Sequence, residues 1–275
     1  MERELERGTL LPSPDRDRAG ALIALILLAY GLIRIIELPS RALEFELFGL
    51  LLRIEFDARF VMLSMAGALA ATGIDWILAS HPLGRSVGFE PRVLPGMAAL
   101  GAGAILAALP VGPAWLIGLG LAGLLLYVVL YGEFVVFDPD DPRAGTAGLG
   151  LRTLGVLLII GVAFAARAGG LRAVYSVPVL FAATGSVCWR LLSLAHARRS
   201  IWPYATTCGW ITAQLAWGLH YWPLRPMQAA LILGLVTYVS MGLSRAHVTG
   251  QAGRRTIYEF GGLSMAALAA ILLLT

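Results

Sequence analysis

Residues 202–224, WPYATTCGWITAQLAWGLHYWPL, decide the fold. Two Trp-Pro pairs bound this segment, Trp202-Pro203 and Trp222-Pro223, and they lie twenty residues apart. A helix of about twenty residues is about 30 Å long, which matches the hydrocarbon core of a bilayer. Proline suits the first turn of a helix, and tryptophan prefers the headgroup boundary. Each pair therefore predicts a membrane face and the start of a new transmembrane helix.

Similar apolar segments fill most of the 275-residue chain. Its residues are 58% apolar and 14% charged, and the mean hydropathy is +0.78. We therefore predict an all-α polytopic membrane protein, with a polar tail at 1–18 and a single helical domain at 19–275. The predicted spans are 19–38, 60–80, 94–109, 114–137, 149–166, 173–194, 203–221, 227–244 and 259–274. The third and ninth spans are short, so eight full crossings with one partial element is the alternative to nine.

Residues 42–57 have a different pattern. Apolar and charged residues alternate in two blocks on either side of Gly49. Alternation with a period of two favours a small β-hairpin on the outer membrane surface. An amphipathic interfacial helix is the alternative, because a helical stripe also fits Leu43, Leu47, Leu50, Leu51 and Ile54.

The basic residues set the predicted orientation. All 21 are arginine, and with the N-terminus inside, thirteen lie on the cytoplasmic side and seven on the other. This bias predicts a cytoplasmic N-terminus in the cell membrane. The first span lacks a small-residue cleavage site and is expected to remain as an anchor. Nucleic acid is not an expected partner, because no basic face with aromatic platforms is present.

Ionisable residues within a bilayer are costly, so their positions are the best guide to function. Asp75, Glu133 and Arg190 lie in the second, fourth and sixth spans, each about 6–8 Å inside the cytoplasmic end. The planar guanidinium of Arg190 can serve two carboxylates. We therefore predict a cytoplasm-facing charged pocket in which Arg190 pairs with Asp75, Glu133 or both. A buried ion pair that only fixes helix register is the alternative.

The run from Glu133 to Pro142 contains the acidic residues Asp138, Asp140 and Asp141. Three aspartates at a membrane face form a candidate Mg²⁺ site, and through the cation a site for a diphosphate. Prolines beside aspartates also form ordinary tight turns, which is the alternative. Asp75 and His81 are the candidate partners on that side. No other cofactor is expected.

The histidines lie at or near helix ends, and no pair has the spacing of a metal motif. We interpret His220 as an interfacial anchor together with Trp202 and Trp222. His196, beside Arg198 and Arg199, is a candidate contact for anionic headgroups. Cys188 and Cys208 are interpreted as apolar core residues.

Three segments have a familiar sequence: Thr72–Trp76 continuing to His81-Pro82, Glu133–Asp141, and Gln214–Leu224. They resemble a family of bacterial multi-spanning membrane proteins catalogued as a domain of unknown function. The likeness covers most of the chain and implies a helical bundle throughout. It implies no activity, so no catalytic residue is assigned.

The favoured hypothesis is a non-enzymatic, transport-related or membrane-scaffold protein that contains the charged pocket. The alternative is a membrane-embedded transferase that acts on a lipid-linked diphosphate through Mg²⁺ at Asp138, Asp140 and Asp141. Membrane lipids are the expected partners, together with a second protein or another copy of the chain. A transporter predicts a water-accessible cavity at Asp75 or Arg190, whereas a scaffold predicts a closed bundle with a protein-binding face.

Overall fold

The structure is a computed structural model that describes residues 13–32, 41–47, 50–56, 58–83, 88–195, 200–251 and 253–273. The described helices are α1 (Arg16–Leu32), α2 (Ala58–Leu78), α3 (Val93–Ala108), α4 (Pro113–Val136), α5 (Ala144–Ala168), α6 (Ala173–Ser193), α7 (Trp202–His220), α8 (Pro226–Val248) and α9 (Arg254–Leu273). A 3-10 turn at Glu90–Arg92 leads directly into α3. The predicted interface residues His196, Arg198 and Arg199 lie outside the described residues.

Two strands lie between α1 and α2. The strands β1 (Arg41–Leu47) and β2 (Leu50–Phe56) pair in antiparallel register, with Arg41 opposite Phe56 and Leu47 opposite Leu50. This is the stretch in which the alternating pattern occurs.

Among the residues that the structure describes, six helical segments are long and apolar enough to cross a membrane, namely Arg59–Leu78, Glu90–Ala108, Pro113–Val136, Ala144–Ala168, Ala173–Ser193 and Pro226–Val248. The third predicted span is therefore not short, because the 3-10 turn extends it to 19 residues. The apolar part of α9, Tyr258–Ile271, is shorter than a full span. Helix α7 is not one of the six, since threonines and Gln214 interrupt its apolar residues.

The chain forms two compact units, Met1–Ala144 and Gly145–Thr275. In the first unit, α1, α2, α3 and α4 pack on one another. A buried hydrogen bond joins α1 to α3, in which the Tyr30 hydroxyl donates to the Ala99 carbonyl at 2.6 Å. Helices α2 and α3 approach closely, because a Cβ at Gly96 would lie 3.3 Å from the Gly67 carbonyl oxygen. Small residues at such crossings are typical of membrane helices.

In the second unit, α7 lies against both α6 and α8. The backbones of α6 and α7 approach each other closely at Gly209, since a Cβ there would lie 2.8 Å from the Phe181 carbonyl oxygen. A buried hydrogen bond of 3.3 Å joins the hydroxyls of Thr212 on α7 and Thr237 on α8. Helix α9 packs on α8, where the rings of Phe260 and Tyr238 lie 5.9 Å apart.

Two helix ends in the second unit are closed by glycine. Gly170 follows α5 with φ of 65°, while the Leu171 N–H donates to the Ala166 carbonyl at 3.1 Å. Gly250 follows α8 with φ of 74°, and the Gln251 N–H donates to the Ala246 carbonyl at 2.8 Å. Both are Schellman motifs, which need a left-handed residue after the helix and therefore favour glycine.

Candidate functional site

Asp75 forms an ion pair with Arg92 at the end of the first unit where α2 stops and α3 begins. The Arg92 Nη2 lies 2.8 Å from the Asp75 Oδ2, and its Nε donates to the Oδ1 at 3.1 Å. The two side chains are 33% and 32% exposed. This two-point contact joins the last turn of α2 to the 3-10 turn before α3, so it fixes the loop between them.

Arg92 is not the partner that the sequence predicts for Asp75, because it lies outside the predicted spans, in the short linker that enters α3. The signal that could have indicated it is its place in the chain, since Arg92 lies in the linker that joins the second predicted span to the third. The predicted contact of Asp75 or Glu133 with Arg190 joins residues of the two units and stays a prediction.

Glu133 and Arg190 are both buried within their own units. Glu133 lies on α4 with none of its surface exposed, and Arg190 lies on α6 with 6% exposed. The Arg190 Nη1 donates to the Ser193 Oγ at 3.1 Å, and that hydroxyl donates to the Arg190 carbonyl at 2.6 Å. The serine one turn later therefore holds the guanidinium close to its own helix.

Asp141 is bound to Arg143 within the loop between α4 and α5. The Arg143 Nη2 donates to the Asp141 Oδ2 at 2.7 Å, and its Nε donates to the Oδ1 at 3.0 Å. A further Arg143 nitrogen donates to the Tyr131 hydroxyl at 3.0 Å. Hydrogen bonds from Arg143 hold the pKa of Asp141 below its usual value, and the carboxylate correspondingly raises the pKa of Arg143.

Asp138 has a turn-forming role. Its Oδ1 accepts the backbone N–H of Asp140 at 3.0 Å, as expected of an aspartate before proline in a tight turn. Within the described ranges, no group of three or more His, Cys, Asp or Glu residues is placed to hold a metal ion. The Mg²⁺ site at Asp138, Asp140 and Asp141 stays a prediction, and Arg143 would compete with the cation for the Asp141 oxygens.

His81 lies beneath this acidic loop. The side chain is 5% exposed, and its ring centroid lies 4.8 Å from that of Phe134 and 5.3 Å from that of Phe137. The Nδ1 accepts the Leu83 N–H at 3.1 Å, so the neutral ring carries its proton on Nε2. Burial lowers the pKa of His81, while the nearby carboxylates Asp138 and Asp141 oppose that shift. His81 therefore packs as a neutral aromatic ring between α4 and the end of α2.

Arg167 is a second residue that the sequence analysis missed. It lies in the last turn of α5, and its guanidinium donates to backbone carbonyls just after α7 and at its end. The Nη1 donates to Leu219 at 2.7 Å and His220 at 3.0 Å, and the Nη2 donates to Trp222 at 2.6 Å. The last carbonyls of a helix lack intrahelical partners, so this arginine closes the end of α7.

The predicted anchors lie at the two ends of α7. Trp202 is 60% exposed and Trp222 is 63% exposed. His220 is half-buried, with its ring 5.4 Å from that of Tyr221. Their interfacial role stays a prediction.

The long apolar helices define a class: a multi-pass integral membrane protein of unassigned activity. The chain belongs to the DUF5656 family, described as proteins of unknown function, whose family model matches residues 38–274. No curated protein matches the chain. No solved structure matches it.

Proposed function

We propose that this protein is a non-catalytic membrane scaffold that associates with a second copy of itself through α7. One observation carries the proposal, namely an exposed stripe along that helix made of Thr207, Trp210, Gln214, Trp217 and Tyr221. Steps of three and four residues alternate along the stripe, as in the seam of a helix pair. The α7 stripe is the kind of face that a scaffold needs.

Gln214 is a polar residue in the α7 stripe, and a surface that faces only lipid would not favour it. It lies near the middle of α7, and its amide bonds to none of the residues that the structure describes. Leaving such an amide in hydrocarbon costs several kcal/mol, about 4–8 on a hydrocarbon scale. Two copies related by a two-fold axis place the two Gln214 amides opposite each other, so that each donates to the other.

Cysteine crosslinking in native membranes tests this proposal. Gln214→Cys is expected to form a covalent dimer much faster than Leu157→Cys, a control on α5 that is also exposed, by 54%. Gln214→Leu is expected to raise the fraction of monomers, because polar contacts between membrane helices contribute about 1 kcal/mol. Single-molecule photobleaching, which counts subunits, measures this fraction. Equal crosslinking at the two positions, together with an unchanged monomer fraction in Gln214→Leu, would contradict the proposal.

The charged residues near the first unit's helix ends support a structural role. Asp75 is bound by Arg92, Asp141 is bound by Arg143, and Asp138 closes a turn. Groups engaged in this way fix loops between helices. A proton or substrate carrier instead needs a carboxylate that exchanges its partner during the cycle.

A transport-related role is the second candidate, and the burial of Glu133 and Arg190 favours it. In that role Asp75, Glu133 and Arg190 form one cytoplasm-facing pocket, in which a carboxylate exchanges protons and Arg190 balances the charge. Reconstituted vesicles with an internal pH dye test it. A proton flux that disappears in Glu133→Gln but survives in Asp138→Asn would replace the scaffold proposal with this one.

The transferase alternative requires Mg²⁺ at Asp138, Asp140 and Asp141 in place of the Arg143 contact. It predicts that Mg²⁺ raises the melting temperature of the wild type and not that of Asp138→Asn/Asp140→Asn. Ca²⁺ or salt at equal ionic strength is the control.

For topology we propose eight or nine crossings of the cell membrane of a bacterium, with a cytoplasmic N-terminus and the β1–β2 hairpin on the outer surface. The six apolar segments and the arginine bias support this arrangement. Labelling of single cysteines from outside intact cells tests it. A cysteine at Gly49 is expected to react, and one at Asp140 is not.

A further inference from the structure

An apolar groove of about 610 Å³ lies among α7, α8 and α9 of the second unit. Its walls include Ile211 and Leu215 of α7, Val236 and Val239 of α8, and Met265 of α9. The volume falls in the range of about 300–1,000 Å³ that is typical of sites for organic ligands.

The groove offers little to water. Two hydroxyls are present among its lining residues, those of Ser240 and Ser264. Each donates to a carbonyl of its own helix, Ser240 to Thr237 at 3.1 Å and Ser264 to Phe260 at 2.6 Å. A bound water needs about two to four polar partners. The lining is therefore suited to hydrocarbon.

The length of the groove suits an acyl chain. The lining residues extend over 211–219 on α7 and 232–243 on α8, and the longer of these stretches is about 16 Å along its helix. That length is about half the hydrocarbon core, the depth of one leaflet.

One end of the groove has the character of a headgroup boundary. Trp222 lines that end and is 63% exposed. Arg225 follows three residues later and is exposed. Tryptophan at the boundary and an exposed arginine three residues later complement an anionic phosphate above an acyl chain.

We propose that this groove binds one phospholipid, with an acyl chain along α7 and α8 and its phosphate at Arg225. The chain fills the space between α8 and α9, so the lipid acts as a structural ligand of the second unit. The site is separate from the α7 stripe, because Ile211, Leu215 and Trp222 lie on a neighbouring face of that helix.

Photolabelling of the full chain in phosphatidylglycerol vesicles tests the proposal. The probe is a phosphatidylglycerol with a diazirine on one acyl chain, and labelled peptides are identified by mass spectrometry. We expect saturable labelling of α7, α8 and α9 around Val239, which unlabelled phosphatidylglycerol competes away. Val239→Trp fills the groove and is expected to reduce that labelling to background. Val179→Trp is the matched control, since Val179 lies on α6 outside the lining and is 48% exposed.

One variant and one second probe distinguish a lipid held by its phosphate from lipid that contacts the groove without a specific site. Arg225→Gln is expected to lower groove labelling about fivefold, because a basic residue at the membrane surface contributes about 1 kcal/mol. A diacylglycerol probe, which has no phosphate, is expected to label the wild type about fivefold less than the phosphatidylglycerol probe does. With the diacylglycerol probe, the wild type and Arg225→Gln are expected to be labelled equally. Groove labelling that is not saturable, or is equal for both probes, would overturn the proposal. Competition in the wild type decides the question even where Val239→Trp fails to fold.

Discussion

Replacing Arg167 with glutamine is expected to destabilise the second unit strongly. The wild-type guanidinium makes three short hydrogen bonds to the carbonyls of Leu219, His220 and Trp222, at 2.7, 3.0 and 2.6 Å. The fourth contact, to Leu224 at 3.5 Å, is too long to count. Glutamine is shorter, carries no charge and has only two N–H donors, so it cannot reproduce this set.

The loss of free energy follows from these contacts. A hydrogen bond contributes about 1 kcal/mol net, and a cation at a helix C-terminus contributes about 0.3–1 kcal/mol more. Because Arg167 is half-buried, part of each contact is replaced by water, and the expected total is about 2–3 kcal/mol. For a protein of this size that corresponds to about 5–10 °C in melting temperature.

Thermal unfolding in one detergent, followed by fluorescence-detected size exclusion, measures this shift. Arg172→Gln is the matched control, because Arg172 is an exposed arginine five residues later. Arg167→Lys is expected to lie between wild type and Arg167→Gln, since lysine keeps the charge and loses the planar fork. Equal melting temperatures for Arg167→Gln and Arg172→Gln would refute the assignment of Arg167 as the closure of α7.

Three further predictions concern stability. A double-mutant cycle on Asp75→Asn and Arg92→Gln is expected to give a coupling of about 0.2–1 kcal/mol, because both side chains are one-third exposed; strictly additive losses would contradict the ion pair. His81, whose pKa is lowered by burial, is expected to cost stability as the pH falls below about 6.5, since the unfolded chain then binds a proton that the folded chain resists. Unfolding measured against pH should therefore show a slope in the wild type that His81→Gln lacks, and identical slopes would refute the burial argument. Gly209→Val is expected to lose about 1–3 kcal/mol, because its Cβ would lie 2.8 Å from the Phe181 carbonyl oxygen, which belongs to the backbone and cannot swing away. Gly218→Ala on the same helix has nothing within 4 Å and is the control, so similar losses in both would argue against the close crossing.

The sequence predicted a helix start and a turn correctly where the residues that cause them are adjacent in the chain. Trp202-Pro203 predicted the start of a helix at 203, and α7 begins at Trp202. The prolines and aspartates of 138–142 gave a turn as one of two alternatives, and Asp138 closes such a turn by accepting the Asp140 N–H. In both cases the cause acts within a few residues, so a pattern in the chain carries it.

Partners distant in sequence were not predictable in the same way. Arg167 reaches carbonyls more than fifty residues away, and nothing around it in the sequence indicates which helix end it closes. Depth within a span predicts Arg190 as the partner of Asp75 and cannot indicate Arg92, because Arg92 lies between two predicted spans. The length of the third span was misjudged for a related reason: Pro91 and Arg92 resemble a linker, yet they form the 3-10 turn that continues into α3.

Helix α7 is where the proposals for this protein meet, and its composition gives the reason. It is less apolar than the six segments that qualify as spans, although its 19 residues are enough for a crossing. A helix that faces lipid on most sides gains nothing from threonine, glutamine and glycine at its centre. On α7 these residues contact protein and not lipid. Gly209 packs against α6, and Thr212 bonds to α8. Gln214 is proposed to contact the second copy. Substituting Gln214 by leucine while leaving Gly209 and Thr212 intact therefore separates association from folding. If that variant melts at the wild-type temperature and is monomeric, the polar residue at the centre of α7 serves assembly and not the fold.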